Sequence, residues 1–141
     1  MKRRLYVETS ALLRVLLDGD AGLRPVLSGE GLFTSALTFL EAGRSIARAR
    51  REKRLDAAGA RDAERQLAAF ERGCDVLAME DEVVRRARDE FPEEPVRSLD
   101  AIHLASLLVL DEALGEFELV SCDERVRRNA VALGFEVVPA G

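Results

Sequence analysis

The stretch RLYVETSALL, residues 4–13, decides the fold. Leu5, Tyr6 and Val7 read as a short buried strand, and Ala11, Leu12 and Leu13 resume an apolar run at helical spacing. Between them stand a carboxylate, Glu8, and two hydroxyls, Thr9 and Ser10. A charge at the junction of two apolar elements needs a partner or a metal ion. Glu is a weak N-cap, and Thr9 or Ser10 stands ready to open the helix instead. Glu8 is therefore the first candidate functional residue.

Outward from this stretch, strand and helix alternate. A helix closes near Gly19, and the short AGLRPVLSGE ends in turn residues. GLFTS is a second strand, and a long helix is expected from Ala36 to about Arg54. ARDAERQLAAFERG predicts a helix ending at Gly73, CDVLAM a third strand, and EDEVVRRARDEF a helix with acids first and arginines later. Pro92 and Pro95 punctuate a loop. SLDAIHLASLLVLDEAL is apolar nearly all round and predicts a central, buried helix. FELVS, DERVRRNAVALG and FEVVPA complete the pattern as strand, helix and strand. Such alternation implies an α/β fold, with a mostly parallel sheet between two helical layers. With 141 residues and no repeat or linker, one domain over residues 1–141 is expected.

Composition narrows the function. An apolar content of 48% supports a core, and a charged content of 33% a solvated surface. A general nucleic-acid coat is usually basic, so at net charge −5 any contact with RNA or DNA would be local, through a basic patch or bound metal ions. One histidine and two distant cysteines, Cys74 and Cys122, argue against a closed zinc site and leave both cysteines as small buried residues. The N-terminus lacks signal-peptide features, and no apolar run reaches the roughly 20 residues that cross a bilayer. A cytoplasmic protein with no membrane contact is expected.

Ligand sites in parallel α/β sheets lie beyond the carboxyl ends of the strands. Glu8 ends the first strand there. Asp123 follows the strand ELVS, and Asp100 opens the buried helix after PVRS. Glu41 lies in the middle of the long helix. Each has a plainer reading. Asp100 suits a helix N-terminus capped by Ser98, Asp123 is a natural N-cap, and Glu41 is a natural surface partner for Arg44 or Ser45. Together, four carboxylates at one edge repel each other unless a divalent cation lies among them. Oxygen ligands suit Mg²⁺ or Mn²⁺. Such ions support phosphodiester hydrolysis.

YVETSALL, TSALTFLEAGRSI, RSLDAIHLAS and LVSCDERVRRNAVALGFEVV occur in this order along the chain. In these segments the sequence resembles the PIN domains, and within them the VapC-like toxin ribonucleases of toxin–antitoxin pairs. The resemblance covers essentially the whole chain. It implies a three-layer α/β/α sandwich and Mg²⁺- or Mn²⁺-dependent cleavage of RNA that leaves a 5′ phosphate and a 3′ hydroxyl. It assigns metal and catalytic roles to Glu8, Glu41, Asp100 and Asp123, and supporting roles to the hydroxyls of Ser10 and Ser121. It also implies a cognate antitoxin and a homodimer. Where the family usually carries Asp, this chain has Glu8, whose extra methylene displaces the carboxylate by about one C–C bond; catalytic geometry is sensitive at that scale. A PIN-like binding module with a weakened or inactive site is thus an alternative. A nuclease acting on DNA, or one without an antitoxin, is another.

Three arginines are candidate phosphate contacts: Arg44 and Arg48, which share a helix face with Glu41, and Arg97 before Asp100. They read equally as surface charges or as contacts for an acidic antitoxin tail. His103, one turn after Asp100, is expected to hydrogen-bond within the fold rather than to act as a base. Leu12, Leu13, Leu16, Leu17, Leu23 and Val26 read either as core or as a surface for an antitoxin helix or second subunit.

Overall fold

The computed structural model describes residues 3–140. A five-stranded parallel sheet runs through it in the order β3-β2-β1-β4-β5. The strands are β1 (Arg4–Val7), β2 (Leu32–Ser35), β3 (Asp75–Leu77), β4 (Phe117–Val120) and β5 (Glu136–Val138). The helices are α1 (Thr9–Asp18), α2 (Arg24–Leu27), α3 (Ala36–Arg51), α4 (Ala57–Arg72), α5 (Asp81–Ala87), α6 (Ser98–Leu114) and α7 (Glu124–Ala132). The expected α/β/α sandwich is what the chain forms.

Side-chain alternation along β1 divides the core in two. Leu5 and Val7 face Leu12, Leu16, Ile46, Leu67 and Phe70 of α1, α3 and α4. Tyr6 faces the other way, onto Leu104, Leu107, Phe117 and Leu119. Burying each such aliphatic side chain contributes roughly 1.5–3 kcal/mol before the entropy of ordering is subtracted. Leu12, Leu16 and Leu23 are thus core residues, with Leu13, Leu17 and Val26 packed against them.

Chain order places β1 at the centre. The chain steps from β1 to β2 and β3 on one side, then returns to lay β4 along the other edge of β1, pairing Val7 with Val120. This reversal opens a crevice at the carboxyl ends of β1 and β4. Close approach at the opposite end depends on Gly31. Its φ is +73°, its carbonyl accepts from Leu5 N at 2.9 Å, and an added Cβ would lie 2.0 Å from the carbonyl oxygen of Arg3.

Several boundaries differ from the sequence expectation for local reasons. RPVL forms the one-turn α2 rather than a turn. α3 ends at Arg51, not Arg54, and Asp56 opens α4 early by accepting from Gly59 N. α5 stops at Ala87, short of Phe91, which is buried in the core. The Glu94 carboxylate takes the Phe91 and Val96 amides, and buried Asn129 bonds both the N–H and the carbonyl of Glu93. These bonds fix the loop leading to α6. Ser98 does not cap α6. Arg97, extended at φ −73° and ψ 155°, is the cap residue, and no side chain bonds there. Cys74 and Cys122 are half-buried rather than buried, and both are free thiols.

Candidate active site

Glu8, Glu41, Asp100 and Asp123 line one cavity of about 360 Å³ beyond the ends of β1 and β4, together with Ser10 and Arg97. The four sequence-predicted acids, from four separate elements, are therefore brought together. Ser121 is buried behind them. Arg44 and Arg48 are exposed on α3 and lie outside the cavity lining, where Ser45 stands instead.

Glu8 does what a Glu seldom does and caps α1 itself, accepting from Ser10 N at 3.1 Å. The expectation that Thr9 or Ser10 would cap fails because the Glu8 amide still pairs with Val120 O at 2.9 Å, which ends the sheet there and starts the helix at Thr9. Glu8 is only 5% exposed. One of its oxygens accepts from the hydroxyls of both Ser10 and Ser121, the latter at 2.6 Å. Each serine oxygen in turn accepts a backbone amide, Cys122 N on Ser10 and Asp123 N on Ser121. A hydroxyl has one proton to give, and both serines give it to Glu8. The pair of hydroxyls thus holds the carboxylate, as a supporting role requires.

Glu41 is held from the other side. Thr9 donates its hydroxyl to Oε1 at 2.6 Å, and His103 Nε2 lies 2.7 Å from the same oxygen. A carboxylate only accepts, so His103 carries its proton on Nε2, and Nδ1 accepts from the Tyr6 hydroxyl at 2.8 Å. Burial pushes the Glu41 carboxyl up, but the hydrogen bonds from His103 and Thr9 outweigh it and hold the group below its ordinary value. Its second oxygen remains free of protein partners among the described residues.

Asp123 caps α7, accepting from Val126 N at 3.0 Å. Its plain structural reading as an N-cap therefore holds, and the bond uses one oxygen while the other has no hydrogen-bond partner among the described residues. Asp100 differs from the rest. It is half-buried in the first turn of α6 and has no hydrogen-bond or ion-pair partner among the described residues. Burial, then the charges of Asp123 and Glu8, raise its carboxyl above the ordinary range against the opposing pull of Arg97 and His103.

The donor set is all oxygen, which suits a hard divalent ion. As the side chains stand, no group of three or more acidic, histidine or cysteine residues among those described is placed to hold a metal ion; Glu8 is bonded to hydroxyls and Glu41 to a hydroxyl and histidine. Mg²⁺ uses one or two carboxylates and keeps several waters, so an open cavity with unpartnered Asp100 fits it.

Tyr6 and Thr9, which bond to His103 and Glu41, are contacts behind and beside the cavity that sequence reasoning missed. The signal was present for Tyr6. It is the sole tyrosine, a buried tyrosine needs a hydroxyl partner, and the sole histidine supplies one. Thr9 carried no such signal beyond its place beside Glu8.

Comparison with known proteins bears on the family and the fold. A family model for the PIN domain matches residues 5–132. Ribonuclease VapC35 of Mycobacterium tuberculosis is 33% identical over 149 aligned residues, covering 97% of this chain and 97% of that protein. The fold matches the toxin–antitoxin complex from Klebsiella pneumoniae with a TM-score of 0.63 at 17% identity, over 96% of this chain and 95% of that one. It matches VapC20 of Mycobacterium tuberculosis, a sarcin–ricin loop cleaving toxin, with a TM-score of 0.60 at 19% identity, over 93% and 95%. With the ordered motifs, the parallel sheet and the clustered acids in agreement, the chain belongs to the PIN domain family, among its VapC-like members.

Proposed function

We propose that the chain is a metal-dependent endoribonuclease toxin that hydrolyses RNA phosphodiester bonds and is neutralised by a cognate antitoxin. The observation that carries this reading is Asp100: a half-buried carboxylate without a protein partner, raised by burial and by Asp123 and Glu8. Such a site is relieved by a cation. Similarity to a ribonuclease supports RNA as substrate, and similarity to a toxin–antitoxin complex supports the antitoxin.

Asp100, Asp123, Glu41 and Glu8 would hold Mg²⁺ or Mn²⁺. When bound, the ion supplies charge to the scissile phosphate and acidifies an attacking water. The chain's own residues orient the carboxylates. Ser10 and Ser121 hold Glu8, and His103 and Thr9 hold Glu41. Arg97, exposed at the rim, meets phosphate oxygens with a guanidinium fork, and Arg44 and Arg48 extend that charge along α3. No proton need leave His103, because its Nε2 proton is directed to Glu41 and its ring is 1% exposed.

Leu40 and Leu99 are 62% and 48% exposed beside Glu41 and Asp100. Leu99 lines the cavity and Leu40 lies outside the lining, so the two put exposed apolar surface near the acids, suited to an antitoxin segment or a second copy of the chain. Among the described residues no helix is long and apolar enough to cross a membrane.

The test is RNA cleavage by the purified chain with Mg²⁺, Mn²⁺ or EDTA, beside Asp100→Asn. Metal-dependent cutting that Asp100→Asn lowers by about 100-fold or more is expected. A second reading, the weakened binding module, is favoured by one observation: Glu8 is committed to three hydrogen bonds inside the protein. Folded protein that cuts no RNA, with cutting gained in Glu8→Asp, would establish that reading instead.

A further inference from the structure

α3 carries a stripe of cations that runs beyond Arg44 and Arg48, the two arginines already set beside the site. At 100° per residue, Glu41, Arg44, Arg48 and Arg51 fall within an arc of about 80°. All three arginines are exposed. None makes an ion pair or side-chain hydrogen bond among the described residues, so all three guanidinium groups are open to an external anion. The helix dipole accounts for cations in the last turn, where Arg48 and Arg51 stand. It does not account for Arg44 in the middle of the helix, nor for the alignment of all three with Glu41.

The stripe starts at the cavity and leads away from it. Arg44 is one turn from Glu41, and Arg51 lies about 15 Å along the axis at 1.5 Å per residue. From Arg44 to Arg51 the span is about 10.5 Å, the length of about three stacked nucleotides at roughly 3.4 Å each. Across the cavity, Arg97 is the one arginine in the lining. Three exposed arginines thus stand on the α3 side and a single one in the lining.

We infer that the Arg44–Arg48–Arg51 face of α3 is a phosphate track for single-stranded RNA, holding about three nucleotides on one side of the bond at the acidic cavity. The inference rests on the ribonuclease reading and adds to it a direction and a length. Phosphates on the track begin about 4.5 Å along the axis from Glu41 and lead away from the carboxylates, so an acidic chain binds a polyanion without burying like charges together. Substrate must extend past the cut on the α3 side, and a strand that ends at the cut there loses the track.

The experiment measures binding of labelled polyuridylate to the full chain in EDTA across a salt series. Single-strand binding falls with salt at a slope near 0.7 per neutralised phosphate. The triple variant Arg44→Gln/Arg48→Gln/Arg51→Gln is expected to lose about 2 from that slope and to stay folded by circular dichroism. A control of equal charge, Arg50→Gln/Arg61→Gln/Arg72→Gln, is expected to change it little. An equal loss in both variants, or none in the first, overturns the track while RNA cleavage by the unaltered chain leaves the ribonuclease reading standing. Loss of binding to polyglutamate but not to polyuridylate in the first variant also overturns it and makes the face a protein contact. If the unaltered chain neither binds nor cuts RNA, the ribonuclease reading falls and the track with it.

Discussion

His103 Nε2 lies 2.7 Å from Glu41 Oε1, and both nitrogens of the buried imidazole are engaged, the other by Tyr6 at 2.8 Å. A residue of β1 therefore sets the tautomer of a residue of α6, which aims a carboxylate of α3. Tyr6→Phe removes one hydroxyl and leaves Nδ1 without a donor in the core. A cost of about 1–3 kcal/mol is expected by urea unfolding. Thr9→Val removes the second hydrogen bond to Glu41 while leaving packing volume unchanged. RNA cleavage lowered about tenfold, and recovered in Thr9→Ser, is expected. Equal cleavage by Thr9→Val and the unaltered chain would show that Glu41 needs no such support.

Asp100 and Glu41 carry opposite pH signatures. Glu41 is held below its ordinary value, so its contribution is present above the usual carboxylate range and is lost as pH falls through its lowered value. Asp100 is raised, so its contribution is present below the ordinary aspartate value and is lost as pH rises through the raised one. At neutral pH ionised Asp100 thus opposes folding. Asp100→Asn is expected to be more stable than the unaltered chain at pH 7, by up to about 1 kcal/mol given partial exposure, and the gain should shrink on acidification. Thermal unfolding of both proteins across acidic and neutral pH measures this.

Metal binding is readable without catalysis. A ligand present at 100 times its dissociation constant stabilises a fold by about 2.7 kcal/mol. Mn²⁺ is expected to raise the Tm of the unaltered chain, EDTA to reverse the rise, and Asp100→Asn to abolish most of it. A rise of the same size in Asp100→Asn would remove that residue from the ligand set.

Gly31→Ala meets both a left-handed backbone and the Arg3 carbonyl oxygen 2.0 Å from the new carbon. Backbone must shift where β1 begins. A loss of about 2 kcal/mol or more is expected in chemical denaturation.

The alternation of RLYV with SALLRVLL and of FELV with DERVRRNAVA made the parallel sheet legible, because period two and period 3.6 differ over even short segments. Glu8 and Asp123 were legible for a topological reason, since residues just past strand ends gather at one edge, whereas Glu41 and Asp100 stand on helices and were drawn in by the motifs around them. Glu8 as its own helix cap was not. Propensity ranks Glu low at that position, and the ranking was overridden by a sheet bond from Glu8 N to Val120 O across 112 residues of sequence. The end of α5 was equally hidden, since it depends on Phe91 entering the core and on Asn129 holding a distant loop. Thr9 looked like capping chemistry, and only the packing of α1 against α3 turns it to Glu41.

Glu8 leaves the ribosome early, and its serine clamp is completed only by Ser121, 113 residues later in the sequence. The first edge of β1 pairs with β2, but its second edge waits for β4, which lies beyond three-quarters of the chain. Contacts this remote in sequence form late, after a large loop has closed. During synthesis the growing polypeptide therefore holds scattered carboxylates and no assembled cavity. The interval before completion is one in which the cell carries the message for this protein without carrying its chemistry.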